Sequence, residues 1–126
     1  IFIIKQHDLE EQKSKFLPGL CNGTMVGALG MSEPGAGSDA IGSMAMRAVR
    51  DGDNYILNGT KLWITNGPVA DVVLLYAKTA PEKGNQGVSA FLIETKDLPG
   101  YSVGKKQNKM VSVLIIMLLF FCSLVS

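Results

Sequence analysis

Short stretches of alternating polarity, each cut off by a glycine-bearing turn, recur from Met25 to Lys105 and commit this part of the chain to β-structure. Side chains two apart share one face of a strand, so a period of two can bury one side of a sheet but gives a helix no apolar stripe. Met25 to Ser32 has the apolar density of a buried strand. Ser43 to Arg50 alternates, with Met44, Met46 and Ala48 on one face and Ala45, Arg47 and Val49 on the other. Asp51-Gly52-Asp53-Asn54 supplies turn chemistry. Tyr55-Ile56-Leu57 follows as a strand, and Asn58-Gly59 gives a type I′ hairpin signal ahead of a further strand over Thr60 to Thr65. Strands are also predicted at Val72 to Lys78, Val88 to Glu94 and Tyr101 to Lys105, with Thr79 to Gly87 and Leu98-Pro99-Gly100 between them. The fold class is therefore mainly β, a single antiparallel domain of at most seven strands, in keeping with fourteen glycines in 126 residues. Upstream, Leu9, Phe16, Leu17 and Leu20 lie among charges and read as the end of an amphipathic helix stopped at Pro18-Gly19.

Two motifs in the β-region carry chemistry. Met31-Ser32-Glu33-Pro34-Gly35-Ala36-Gly37-Ser38-Asp39 offers backbone N–H groups and small hydroxyls where glycines let a ligand approach the main chain. Trp63-Ile64-Thr65-Asn66-Gly67 offers a flat ring flanked by hydrogen-bonding groups. Together they suit a ligand with a phosphate end and a ring end. Gly35 to Ala40 also fits the dinucleotide fingerprint G-x-G-x-x-G/A, which requires a helix to follow with its N-terminus on the pyrophosphate. Here the next segment alternates with period two, which argues against that reading. Alone, the first motif would be an ordinary glycine-rich turn and Trp63 a core residue. The presence of both, in register, shifts the balance to a binding site.

Both motifs fit the acyl-CoA dehydrogenase pattern at every position and in the family's order, and the chain resembles the middle β-domain of that family from about Glu10 to Met110. On this resemblance residues 1–22 correspond to the end of an N-terminal helical domain, 23–110 to an incomplete FAD- and acyl-CoA-binding β-domain, and 111–126 to an apolar tail foreign to the family. The resemblance implies FAD as cofactor, held by Leu29, Gly30, Met31, Ser32, Glu33, Pro34, Gly35, Ala36, Gly37 and Ser38 and by Trp63, Ile64 and Thr65. The indole would pack on the isoalloxazine, and Thr65 would bond near flavin N5, where a donor stabilises arriving charge. Ser38 is implied as a contact to the CoA part of the substrate, whereas Asp39 is expected to order the loop through local backbone bonds. The family reaction takes the α-proton of an acyl-CoA thioester onto a glutamate while the β-hydride passes to FAD. That glutamate belongs to the C-terminal helical domain, so no catalytic residue is expected here, and Glu33, Glu82 and Glu94 do not replace it. The chain alone is expected to be inactive. The resemblance further implies a homo-oligomer, an electron-transfer flavoprotein as partner, a place in fatty acid or branched-chain amino acid catabolism and, for a eukaryotic source, the mitochondrial matrix. Val69-Ala70-Asp71-Val72 and Tyr76-Ala77-Lys78-Thr79 look most like the isovaleryl-CoA dehydrogenase branch.

A net charge of +1, from 12 basic and 11 acidic side chains, provides no field for nucleic acid. Cys21 and Cys122 form no CxxC or Cys/His set, so neither a metal site nor a disulfide framework is expected, and a reduced intracellular protein is the simpler reading. His7, the only histidine, reads as a surface residue. The sequons at Asn22 and Asn58 read as turn chemistry, and the opening IFIIKQHD lacks the basic start and cleavage site of a signal peptide. Val111 to Ser126 carries no charge, is a candidate helix, and at 16 residues is shorter than the about 18 to 20 that span a bilayer. Val111-Ser112 can be encoded by GTA-AGT or GTG-AGT, the start of a splice donor, and the tail is accordingly read as translated intron. The rival function is a membrane-tethered β-rich binding module anchored by this segment.

Overall fold

The computed structural model describes Ile4, Lys5, residues 10–104 and the backbone of Leu119–Val125. His7 and residues 105–118, on which the sequence carries readings, lie outside the described residues. Helix α1 (Glu10–Asn22) starts with two acidic residues, Glu10 and Glu11, in the turn where the helix dipole favours them. It runs through Pro18 instead of stopping there, giving up one intrahelical bond near its end. The stop comes at Gly23, whose φ of 79° is the left-handed geometry of a helix C-terminus, and Met25 N–H donates to the Gly19 carbonyl at 3.0 Å.

Among the described residues seven strands follow: β1 (Gly27–Gly30), β2 (Arg47–Asp51), β3 (Asn54–Lys61), β4 (Val72–Lys78), β5 (Val88–Glu94), β6 (Ser102–Val103) and β7 (Leu119–Val125). They form one sheet in the order β1-β4-β2-β3-β7-β6, with β5 also paired to β4. The chain is mainly β, as its periodicity requires, but its pairing is mixed. β1 runs parallel to the first half of β4, from Gly27 opposite Val72 to Gly30 opposite Leu75, and β2 joins β4 in parallel at Arg47 opposite Lys78. The remaining pairs are antiparallel. β1 and β2 thus meet β4 at its two ends, and the chain between them, residues 31–46, is thrown off the sheet.

Two sequence expectations are corrected here. Asn58-Gly59 is not a hairpin turn: β3 is continuous from Asn54 to Lys61, and the turn lies at Asp51 to Asn54 with Gly52 at φ 62°. Gly59 is needed for close packing instead, since a Cβ there would lie 2.7 Å from Met46 Cγ and 2.9 Å from its Cα. The tail, a candidate helix by composition, ends in a strand: β7 pairs with β3 from Leu119 opposite Lys61 to Val125 opposite Tyr55. An uncharged segment rich in large apolar residues suits strand addition to a sheet edge, which satisfies backbone groups that would otherwise stay open.

The core lies under this sheet. Met44, Met46 and Ala48 are buried as their alternation predicts, and they pack with Leu57, Ile64, Val73, Leu75, Ala77 and Ile93. Met46, Leu57, Val73, Leu75 and Ala77 are fully sealed from solvent, so the loop emerging above them rests on a rigid floor.

Candidate cofactor site

Residues 31–46 form a loop closed by one side chain. The Glu33 carboxylate accepts the Ala45 N–H at 2.6 Å through Oε2 and the Met46 N–H at 3.0 Å through Oε1, joining the two ends of the loop. Lys61, the last residue of β3, donates to Glu33 Oε1 at 2.9 Å and to the Met31 carbonyl at 2.9 Å. Lys61 is 0% exposed and Glu33 5%. A buried ammonium is tolerated only when paired and hydrogen-bonded, and this one has both. Burial pushes the Lys61 ammonium below its usual range, and the Glu33 carboxylate opposes that fall.

The loop's tip is built from local geometry. Glu33 and Ala36 exchange backbone hydrogen bonds at 3.1 Å in each direction around Pro34-Gly35, where proline's fixed φ suits the second position of a turn. Ala36 is buried, while Pro34, Gly35, Gly37 and Ser38 face solvent. A Cβ on Gly35 or Gly37 would meet no atom within 4 Å, so the main chain is bare on that side and a phosphate could reach its N–H groups. Asp39 then secures the next turn: Oδ1 accepts the Gly42 N–H at 3.1 Å, Oδ2 accepts the Ser43 hydroxyl at 2.7 Å, and its carbonyl accepts the Ser43 N–H at 3.1 Å. This is the ordering role expected of it. Lys78 of β4 donates to the Gly42 carbonyl at 3.0 Å. No helix follows; residues 38–43 form turns leading to β2, so the dinucleotide-fingerprint alternative has no counterpart in the fold.

The second motif is stitched to the first. Leu62 N–H donates to the Ser32 carbonyl at 2.9 Å, next to the bond from Lys61 to Met31. Immediately beyond, Trp63 has φ 63° and Asn66 φ 62°. A left-handed backbone costs a bulky side chain roughly 1 to 2 kcal/mol, and such outliers persist where the surroundings enforce them. Here it leaves Trp63 47% exposed while Ile64 is driven into the core at 1%. Thr65 is exposed, and with Asn66 and Leu29 it lines an open cavity of about 510 Å³ walled by apolar residues, among them Leu20, Met25, Val72 and Leu74.

The candidate residues divide by direction. Leu29, Pro34, Gly35, Gly37, Ser38, Trp63 and Thr65 face outward, and Met31 and Ser32 are half-buried. Gly30, Glu33, Ala36 and Ile64 face inward; a Cβ on Gly30 would meet Leu75 Cδ1 at 2.8 Å. These four present no side chain to a ligand, and the Glu33 and Ala36 main-chain groups already bond each other. Among the described residues the Ser38 and Thr65 hydroxyls make no hydrogen bond, which leaves both for one. The bare glycine tip, the outward indole and the exposed Thr65 hydroxyl offer the kinds of group that the phosphate and ring ends of a flavin nucleotide would need. Lys61 is the residue that sequence reasoning missed. Its signal was the register Leu57-Gly59-Lys61, which places it on the inward face of β3. Glu94 is exposed at the end of β5 and paired with Lys15 at 2.6 Å, and Glu82 is exposed in the turn Pro81–Gly87. Among the described residues no group of three or more His, Cys, Asp or Glu could hold a metal.

Comparison with known proteins identifies the family of this fold. The family model described as acyl-CoA dehydrogenase, middle domain, matches residues 28–113. Mitochondrial isovaleryl-CoA dehydrogenase from Pongo abelii is 52% identical over 103 residues, covering 80% of this chain and 24% of that protein. Among solved structures, the butyryl-CoA dehydrogenase of Megasphaera elsdenii superposes with a TM-score of 0.88 at 42% identity, over 98% of this chain and 32% of that one. A chain in a structure of the electron transferring flavoprotein of Acidaminococcus fermentans gives a TM-score of 0.92 at 42% identity, over 98% and 33%. The chain thus spans about a quarter to a third of the length of these relatives.

Proposed function

This chain belongs to the acyl-CoA dehydrogenase family, and we propose that it is the cofactor-facing part of an FAD-dependent enzyme that desaturates acyl-CoA thioesters. The observation that carries the reading is the stitching of Met31, Ser32 and Glu33 to Lys61 and Leu62, which sets the bare glycine tip and the outward Trp63 on one framework. The N–H groups around Gly35 and Gly37 and the Ser38 hydroxyl would take the phosphate end, with Ser38 also available to the CoA moiety. Trp63 would pack on the ring, and the Thr65 hydroxyl would donate near its N5 edge. FAD supplies the hydride acceptor when bound. The chain's own residues hold and orient; no described carboxylate near the tip is unengaged, since Glu33 is buried in its ion pair and Asp39 is committed to its turn. On the family resemblance, the base lies in a domain outside these residues.

Membership of the family supports an acyl-CoA substrate and an electron-transfer flavoprotein partner, and the 52% identity to an isovaleryl-CoA dehydrogenase supports that branch. Homo-oligomerisation, the domain division at residues 22 and 110 and a mitochondrial site in a eukaryote belong to the same proposal; relatives come from mitochondria and from bacteria. The membrane-tethered alternative has no support: among the described residues no helix is long and apolar enough to cross a membrane, and Leu119–Val125 is a strand paired with β3. Comparing genomic and transcript sequence around Met110 tests the intron reading of the tail; a spliced message joining Met110 to Val111 across an exon junction would end it.

The cofactor reading is tested by titrating FAD into the chain while following the emission of Trp63, the only tryptophan. Saturable quenching, weakened in Gly37→Val, is the expected result. Emission unchanged by FAD in the folded chain would overturn it.

A further inference from the structure

We propose that Lys61 is a positioning residue for the cofactor loop, holding the loop tip and Trp63 in one fixed register through the clasp it forms with Glu33. The inference rests on the flavin reading for its purpose, but on geometry for its substance. The Glu33 carboxylate receives the Ala45 and Met46 N–H groups and the Lys61 ammonium, and that ammonium also binds the Met31 carbonyl. Three segments distant in sequence therefore meet at one buried point: the start of the loop, its end, and the end of β3.

Stability alone does not account for an ion pair at this place. Replacing a buried pair by apolar residues of similar volume is often neutral or stabilising, because the charges no longer need desolvating. An apolar pair would lack direction. A carboxylate with three donors and an ammonium with two acceptors fix the relative placement of their elements as a methyl contact does not. Ligand loops belong by default to the least stable parts of a protein, and a loop ordered before its ligand arrives binds more tightly, since less ordering remains. Trp63 lies two residues beyond Lys61 and adopts φ 63°, so displacing Lys61 releases the strand end that enforces this outlier.

The experiment compares the wild-type chain with the double variant Glu33→Gln/Lys61→Met, which removes both charges at near-constant volume. Urea unfolding reads stability. Amide hydrogen exchange at Ala36 and Leu62, whose N–H groups bond Glu33 and Ser32, reads the loop's register. Acrylamide quenching of Trp63 and FAD titration read the two halves of the site. The expected result is a urea midpoint close to wild type, exchange at Ala36 and Leu62 at least tenfold faster, altered quenching of Trp63, and FAD binding at least tenfold weaker. A double variant that keeps the wild-type midpoint, exchange rates and FAD affinity would overturn the proposal.

The wild type alone provides a second test that no folding failure can remove. The amides of Ala45 and Met46, held by Glu33, should exchange at least tenfold more slowly than those of Gly42 and Ser43, held by Asp39. Equal rates would overturn the clasp. Absence of FAD binding by the wild type would overturn the flavin reading, and the exchange ratio would still decide the role of Lys61.

Discussion

Glu33 and Asp39 stand six residues apart on either side of the Pro34 to Ser38 tip, and both anchor it by accepting hydrogen bonds, yet they do so in opposite ways. Asp39 bonds Gly42 and Ser43, three and four residues ahead, at the surface. Glu33 bonds Ala45, Met46 and Lys61, 12, 13 and 28 residues away, in the interior. One carboxylate shapes a turn that short-range chemistry already favours. The other closes a loop whose ends have no local reason to meet. A single glycine-rich motif thus combines a locally encoded half with a half that exists only in the folded sheet.

Removing the Lys61 amine separates the two anchors most strongly. Lys61→Ala leaves the Glu33 charge buried without its cation, a loss expected to cost about 3 to 5 kcal/mol. Urea unfolding of the chain measures it, and a loss below about 1 kcal/mol would mean that the pair is replaceable by water. The glycine tip sharpens the contrast from the other side. Gly37→Val is expected to leave stability nearly unchanged, because a Cβ there meets nothing, and to weaken FAD at least tenfold by filling the bare approach. Stability and FAD titration on the same preparation separate the outcomes; a tip tolerant of valine in both would show that no ligand comes close.

The same division explains how much was legible in the sequence. Val72 to Lys78 and Val88 to Glu94 read correctly to the residue because a dense apolar run bounded by turn chemistry has few alternatives. Asp39 read as a turn former because its partners Gly42 and Ser43 lie within four residues of it. Asn58-Gly59 misled because a glycine selected by Met46 packing looks like one selected by a turn. Pro18 misled because a proline's missing bond near a helix end is a smaller loss than the rule for interior positions assumes. Lys61 was silent. A lysine at a strand end is ordinarily solvated, and only the tertiary register brings it over Glu33.

Asp39→Ala tests the local half and is expected to lose about 1 kcal/mol, the usual worth of an exposed hydrogen-bonded turn contact. Since Glu33 and Lys61 are untouched, exchange at Ser43 should accelerate while that at Met46 stays protected. Acceleration at both would show that the two anchors act as one unit and would erase the distinction drawn above.

A last effect lies in alkali, where the clasp and Tyr101 act with opposite sign. The Lys61 ammonium titrates below its ordinary 10.5 when folded, so between that lowered value and 10.5 the unfolded chain holds more protons, and stability rises with pH. Tyr101, which donates to the Gly67 carbonyl at 3.4 Å, is raised by burial from 10.0 to about 12, so between those values the folded chain holds more protons and stability falls. Tyr101→Phe should therefore abolish part of the loss above pH 10 and leave any rise below it. Glu33→Gln/Lys61→Met should do the reverse, flattening the rise and keeping the loss. Urea midpoints from pH 8 to 12 for the three proteins measure both limbs; a wild-type rise that survives in the double variant would mean that the buried amine of the clasp is not the group responsible.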